Sequence, residues 1–288
     1  MANKYYDNSV LAAYIENMVA SKLDLMRFCA VDKSLTLVPG MKKYINRYIA
    51  TSGTQILGIG EGNNQTIEAS YATEEYNIKL YQNRAIYQDE HQMTDPIFVQ
   101  TLMKGAAADI INKIQEEGYA EWMKAQLTTA PTKFNYDSFV DAASLLDIDE
   151  NLEGMEIFGF VNPLDMGSIR KNLKDDLKYV EAFARSGYVG TVAGINLYTK
   201  KNATKNTVIV GTKDAVTYFD KKGTEVERVR SDANTRTNSI FTRKYGVWAL
   251  TDARYAVKMQ IGGTEKLTVD KVRPYEKAEK AETEEEGT

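Results

Sequence analysis

The chain has 288 residues, 43% hydrophobic and 26% charged, enough apolar material for one large core or two modest ones. A net charge of −4 makes it a poor electrostatic match for nucleic acid, and a single cysteine and single histidine exclude an internal disulfide and repeated His/Cys zinc ligands. No stretch resembles a membrane span, and the start Met1-Ala2-Asn3-Lys4-Tyr5-Tyr6 lacks a secretory leader pattern, so a cytoplasmic place of synthesis is expected.

Residues 9 to 30 carry Leu11, Tyr14, Ile15, Met18, Val19 and Leu23 at helical spacing behind a Ser9 cap. Cys29 lies in the apolar run Leu25 to Ala30 and reads as a small buried hydrophobe rather than a reactive thiol. Ser34 to Val38 is a short strand signal ended by Pro39-Gly40, and Tyr44 to Ile49 is a second strand.

Glycines at 53, 58, 60 and 62 make residues 51 to 64 a connector. Gly58-Ile59-Gly60-Glu61-Gly62 invites a dinucleotide reading, because close glycines let a phosphate approach backbone amides at a helix N-terminus. The context is wrong for it, since Gln65 to Tyr71 alternates with period two and reads as a strand. Ala72 to Glu75 would turn the chain, and Tyr76, Ile78 and Leu80 would return on one face. Such a hairpin has too little apolar surface to form a core alone. It either lies on another subunit or joins a sheet of its own domain.

The stretch that organises the chain follows Thr94-Asp95-Pro96. Asp95 is placed as an N-cap and Pro96 as the first helical residue. Met103, Ala107, Ile110, Ile114, Gly118 and Trp122 then form one apolar stripe. A helix running to about Gln126 would be a rod of about 45 Å, which needs a partner surface along its length. Tyr136 to Leu146 is a helix that Asp137 would cap. Met155 to Val161 is a strand buried on both faces, and Asn162-Pro163 opens a helix to about Lys178 with Leu164, Ile169, Leu173 and Leu177 inward.

Val189 to Tyr198 and Thr207 to Val210 are further strands, while residues 211 to 219 give no clear signal. Arg228, Arg230, Arg236 and Arg243 surround the polar stretch 231 to 239, as a solvated or subunit-contacting face. Thr242 to Leu250 and Arg254 to Met259 alternate as two strands that would form the sheet beneath the long helix. Residues 276 to 286 form an acidic solvated tail. No G-x-S-x-G, P-loop or H-E-x-x-H string is present, and His91 has nearby carboxylates but no nucleophile tied to it. No cofactor, metal ligand set or catalytic residue is expected.

The order of parts resembles the HK97-like major capsid proteins of tailed bacteriophages. The resemblance is carried by Pro39-Gly40 through Gly58-Ile59-Gly60-Glu61-Gly62, by the stretch from Tyr87-Gln88-Asp89-Glu90-His91 to Pro96, and by Phe158 to Pro163 followed by Gly187 to Ile195. It implies an α+β capsid fold. Residues 1–61 would be an N-terminal arm, 62–93 an extended hairpin loop, 94–130 with 231–272 a peripheral domain holding a spine helix and an antiparallel sheet, 131–230 an axial α/β domain, and 273–288 a disordered tail. It also implies a non-enzymatic shell subunit of hexamers and pentamers around DNA, bound without sequence specificity and without a membrane. Subunit contacts would involve Ile67, Tyr71, Tyr76, Ile78, Lys79, Tyr81, Arg228, Arg230, Arg236 and Arg243.

Some relatives crosslink a loop lysine to an asparagine. Lys79 with Asn234 or Asn238 would be the counterparts here, although nothing specifies an activating acid in an apolar pocket. A separate scaffolding protein, a portal and decoration proteins would be partners, with synthesis in the host cytoplasm and a final place in the virion capsid. An encapsulin-like compartment shell, or a soluble nucleotide-binding α/β enzyme using the glycine run, are the alternatives.

Overall fold

The structure, a computed structural model, describes residues 24–50, 56–62, 69–95, 97–146, 156–174, 190–232 and 234–267. The expected helix before residue 24, Ile67, Leu177 and the acidic tail lie outside the described residues. Two compact units emerge. The larger holds the described residues up to Gly40 and from Ile78 to Leu267, and the smaller those from Met41 to Asn77.

The larger unit opens with a 3₁₀ turn, Asp24–Phe28, and strand β1 (Ala30–Asp32). The expected strand at Ser34 is instead a second 3₁₀ turn, Ser34–Leu37. Local side chains win there: the Ser34 amide and hydroxyl both donate to the Asp32 carboxylate, at 2.7 and 2.9 Å, and Thr36 Oγ1 donates to the Lys33 carbonyl.

The smaller unit is a two-stranded antiparallel sheet of β2 (Lys42–Ala50) and β3 (Ala69–Asn77), in register from Lys42 opposite Asn77 to Ala50 opposite Ala69. This corrects the expected hairpin. Ala72 to Glu75 continues a strand instead of turning, and β3 pairs backwards with β2 rather than onward with the next strand. The cross-strand pair Lys42–Glu75 at 2.6 Å and the Thr73–Asn46 hydrogen bond at 2.8 Å fit that register.

Beyond Asn77 come β4 (Lys79–Gln88), a short α1 (Asp89–Thr94) and the long α2 (Phe98–Trp122). Asp95 holds the turn into α2, its Oδ1 accepting the Ile97 amide at 2.9 Å and its carbonyl the Phe98 amide at 3.1 Å, but the helix starts at Phe98 with Ile97 at the N-cap, later than the expected start at Pro96. The Asp95 amide closes α1 on the His91 carbonyl. The long helix has 25 residues, about 37 Å, shorter than expected because it starts at Phe98 and ends at Trp122 rather than near Gln126, and α1 precedes it as a separate turn. Its whole anticipated stripe, Met103, Ala107, Ile110, Ile114, Gly118 and Trp122, is buried.

Next in order are β5 (Leu127–Thr129), α3 (Tyr136–Ser144), β6 (Phe158–Val161), α4 (Pro163–Asn172), β7 (Thr191–Val192), β8 (Ile195–Thr199), β9 (Thr207–Gly211), β10 (Val216–Asp232), β11 (Thr237–Leu250) and β12 (Ala256–Gln260). Asn135, not Asp137, caps α3, through a reciprocal pair with Ser138. All four residues of β6 are buried, as their apolar run requires. In α4 Ile169 is buried, with Leu173 just beyond it, but Leu164 is 65% exposed because the inward face is set by Asp165, Met166 and Ile169.

Two sheets result. One has the order β1-β10-β11-β4 and the other β5-β12-β9-β6-β8-β7. The strands expected at 242–250 and 254–259 exist but separate: β11 pairs with β10 and β4, whereas β12 pairs with β5 and β9. Helix α2 crosses the first sheet, and the Trp248 indole of β11 fills the gap at Gly118, where a Cβ would lie 2.8 Å from the ring.

Candidate subunit interface

The smaller unit has little interior of its own. Of its described side chains only Ile45 is buried, while Met41, Tyr44 and Tyr71 are exposed. The glycine connector, expected to be a plain hinge, carries Ile56 and Ile59 fully in solvent. Its turn is held by Glu61, whose carboxylate accepts the Gly58 amide at 2.9 Å. Two fully exposed isoleucines on one loop are the strongest apolar exposure here. Sequence reading passed over them because their glycine neighbours dominated the signal.

The residues proposed for subunit contact are scattered. Tyr71 is exposed and Tyr76 half-buried, its hydroxyl donating to Glu74. Ile78 and Tyr81 are buried within the larger unit and have no free surface to offer a neighbour. Burial pushes the Tyr81 phenol well above its usual range, reinforced by the Glu117 and Glu121 carboxylates. Lys79 forms an ion pair with Glu117 of α2.

Three of the four arginines pair with acids that sequence reading had not connected to them, and the fourth lies over an aromatic ring. At the tip of the β10–β11 hairpin, Arg230 reaches Asp89 at 3.2 Å and Arg236 reaches Glu90 at 2.5 Å. Asp89 also accepts from Asn238, and its amide donates to the Arg236 carbonyl. Arg243 pairs with Glu227 at 2.8 Å and with Gln82 at 2.9 Å, and the Arg228 guanidinium lies 5.3 Å from the centre of the Tyr87 ring. The basic patch is thus largely neutralised in place. Exposed pairs of this kind contribute little stability each, but together they fix the hairpin tip on the start of α1. The signal was present in Asp89-Glu90, beside His91.

Asn238 is buried on Asp89, whereas Asn234 lies exposed in the turn. His91 is exposed on α1, its ring 5.3 Å from Phe98. Cys29 is buried at 1% exposure, and burial raises its thiol to about 12. Among the described residues no cluster of His, Cys, Asp and Glu could hold a metal ion, and no helix is long and apolar enough to cross a membrane.

A long helix across a mostly antiparallel sheet, a mixed second sheet with its own helices, and a separate two-stranded ribbon make up the HK97-like capsid fold, shared with solved phage capsids. The likeness extends to particular proteins. The chain is 27% identical over 263 residues to the major capsid protein of Staphylococcus phage phiMR11, covering 88% of this chain and 92% of that one. The capsid of Ralstonia phage GP4 matches with a TM-score of 0.63 at 10% identity, over 83% of this chain and 88% of the other. The SrpI encapsulin of Synechococcus elongatus PCC 7942 matches at 0.57 and 10% identity, over 83% and 87%. No protein-family model matches the chain.

Proposed function

We propose that this chain is the major capsid protein of a tailed bacteriophage, a structural subunit that assembles into hexamers and pentamers of an icosahedral head enclosing DNA. The observation that carries this reading is the sequence relation to a phage major capsid protein along nearly the whole of both chains, on a capsid fold. An encapsulin-like shell shares the fold, but the relation detected in sequence is to the phage protein.

In this reading α2 is the spine helix of a peripheral region formed by residues 94–130 and 231–272, and residues 131–230 form the axial region. The extended loop is the β2–β3 unit, residues 41–77, beginning earlier in the chain than position 62. Its exposed Ile56, Ile59 and Tyr71 gain their burial on a neighbouring subunit. Contacts of this kind join unlike surfaces of successive copies and close into rings. The mature place is the virion capsid, after synthesis in the host cytoplasm with a separate scaffolding protein, a portal and decoration proteins as companions.

The test is an Ile56→Ser/Ile59→Ser variant compared with the wild type by sedimentation velocity and circular dichroism. An unchanged spectrum and melting temperature, with a severalfold loss of large assemblies, is the expected outcome. Assembly equal to wild type would contradict the role given to this loop.

A further inference from the structure

A cavity of about 570 Å³ opens beside α2, away from the sheet that helix covers. The turn Asp24–Phe28, one side of α2 and the end of β8 with the loop after it form its walls, and Phe28, Phe160 and Tyr198 its apolar floor. The Phe28 ring lies tilted against Tyr198 at 4.6 Å and edge-on to Phe160 at 5.2 Å between ring centres, so the floor is a contiguous aromatic cluster.

The polar lining is one-sided. Arg27, Lys200 and Lys201 contribute three positive charges, Asn112, Gln115 and Asn202 contribute amides, and no carboxylate lines the cavity. On a chain whose net charge is −4, that is a local inversion of sign. Lys200 is anchored over the Tyr119 ring at 5.7 Å. Arg27, Lys201, Asn112 and Asn202 make no side-chain hydrogen bond or ion pair among the described residues, and all four are exposed.

The geometry points to a phosphodiester-binding site, in which the cavity takes the sugar-phosphate backbone of nucleic acid held inside the shell. Arginine, lysine and carboxamide donors are the groups that contact phosphate oxygens without reading sequence. An acidic peptide is the competing ligand for the same positive charges; the shell reading, in which the enclosed polymer is DNA, favours the phosphodiester. The site rests on the shell reading and adds to it the face that meets the enclosed polymer.

The experiment titrates full-length protein into a fluorescein-labelled 20-base-pair DNA duplex and follows anisotropy at several salt concentrations. Arg27→Ala/Lys201→Ala is compared with wild type and with Lys171→Ala/Lys174→Ala, which removes two exposed charges outside the cavity. The cavity variant should bind about tenfold more weakly, with a salt slope shallower by about 1.8, while the control changes less than about twofold. Equal losses in both variants, no binding by wild type, or competition by polyglutamate as strong as by unlabelled duplex would overturn the assignment. Negative-stain images of the same preparations separate the two failures. Particles absent both with and without a scaffolding protein count against the shell, whereas assembly with duplex binding that ignores the cavity counts against the site alone.

Discussion

At Gly118 and Gly246 an aromatic ring occupies the space a side chain would need. A Cβ on Gly118 would lie 2.8 Å from the Trp248 indole, and one on Gly246 would lie 2.2 Å from the Tyr218 hydroxyl. Both rings are buried and pack on each other at 4.8 Å between centres, tilted by 51°, so neither has room to swing aside. Gly118→Ala should therefore destabilise the protein by about 1–3 kcal/mol, the usual cost of overpacking, despite alanine's better helix propensity. Urea denaturation measures it, and a stabilised variant would show that α2 does not press on Trp248.

Cys29 makes a second prediction at this scale. Burial raises its thiol from 9.0 to about 12, so the folded state holds the proton more tightly than the unfolded chain. The associated stability is fully present below pH 9 and is lost as pH rises toward 12. Burial of Tyr81, Tyr87 and Tyr119 acts in the same direction. The urea midpoint should fall above pH 9, and a thiol reagent at pH 8 should label Cys29 only after denaturation. Rapid labelling of native protein would contradict this account.

Among the elements, the junction of β6 and α4 depends on one side chain. Asn162, at 6% exposure, accepts the Leu164 amide at 3.0 Å and donates to the Ala203 carbonyl at 2.6 Å, tying the helix start to the loop before β9. Asn162→Ala removes a cap and leaves a buried carbonyl without its donor, at a cost of about 2–3 kcal/mol. Asn162→Asp, which keeps the cap but not the amide donor, should recover only part of that. Equal stability of wild type and alanine variant would refute the role. This junction was legible because Asn-Pro after a continuous apolar run is a local signal, and the stripe of α2 was legible for the same reason. Pairing between distant strands was not. Alternation marks β3 as a strand but does not choose β2 over β4, and β11 and β12 read alike in sequence yet enter different sheets. The arginine partners Asp89 and Glu90 were hidden likewise, being more than a hundred residues from the hairpin tip that they hold.

On the scale of the whole molecule, the larger unit completes its own interior, with Trp122, Trp248, Phe139 and Ile169 all buried, whereas the described part of the smaller unit buries only Ile45. A two-stranded ribbon with so little apolar burial is marginal alone in water, and the function proposed above has another copy complete it. Self-assembly is thus the central claim, and the most direct measurement is negative-stain electron microscopy with sedimentation of the purified protein, expressed alone and with a candidate scaffolding protein. The account predicts hollow angular shells, or rings of five and six subunits. A stable monomer or dimer under both conditions would contradict it.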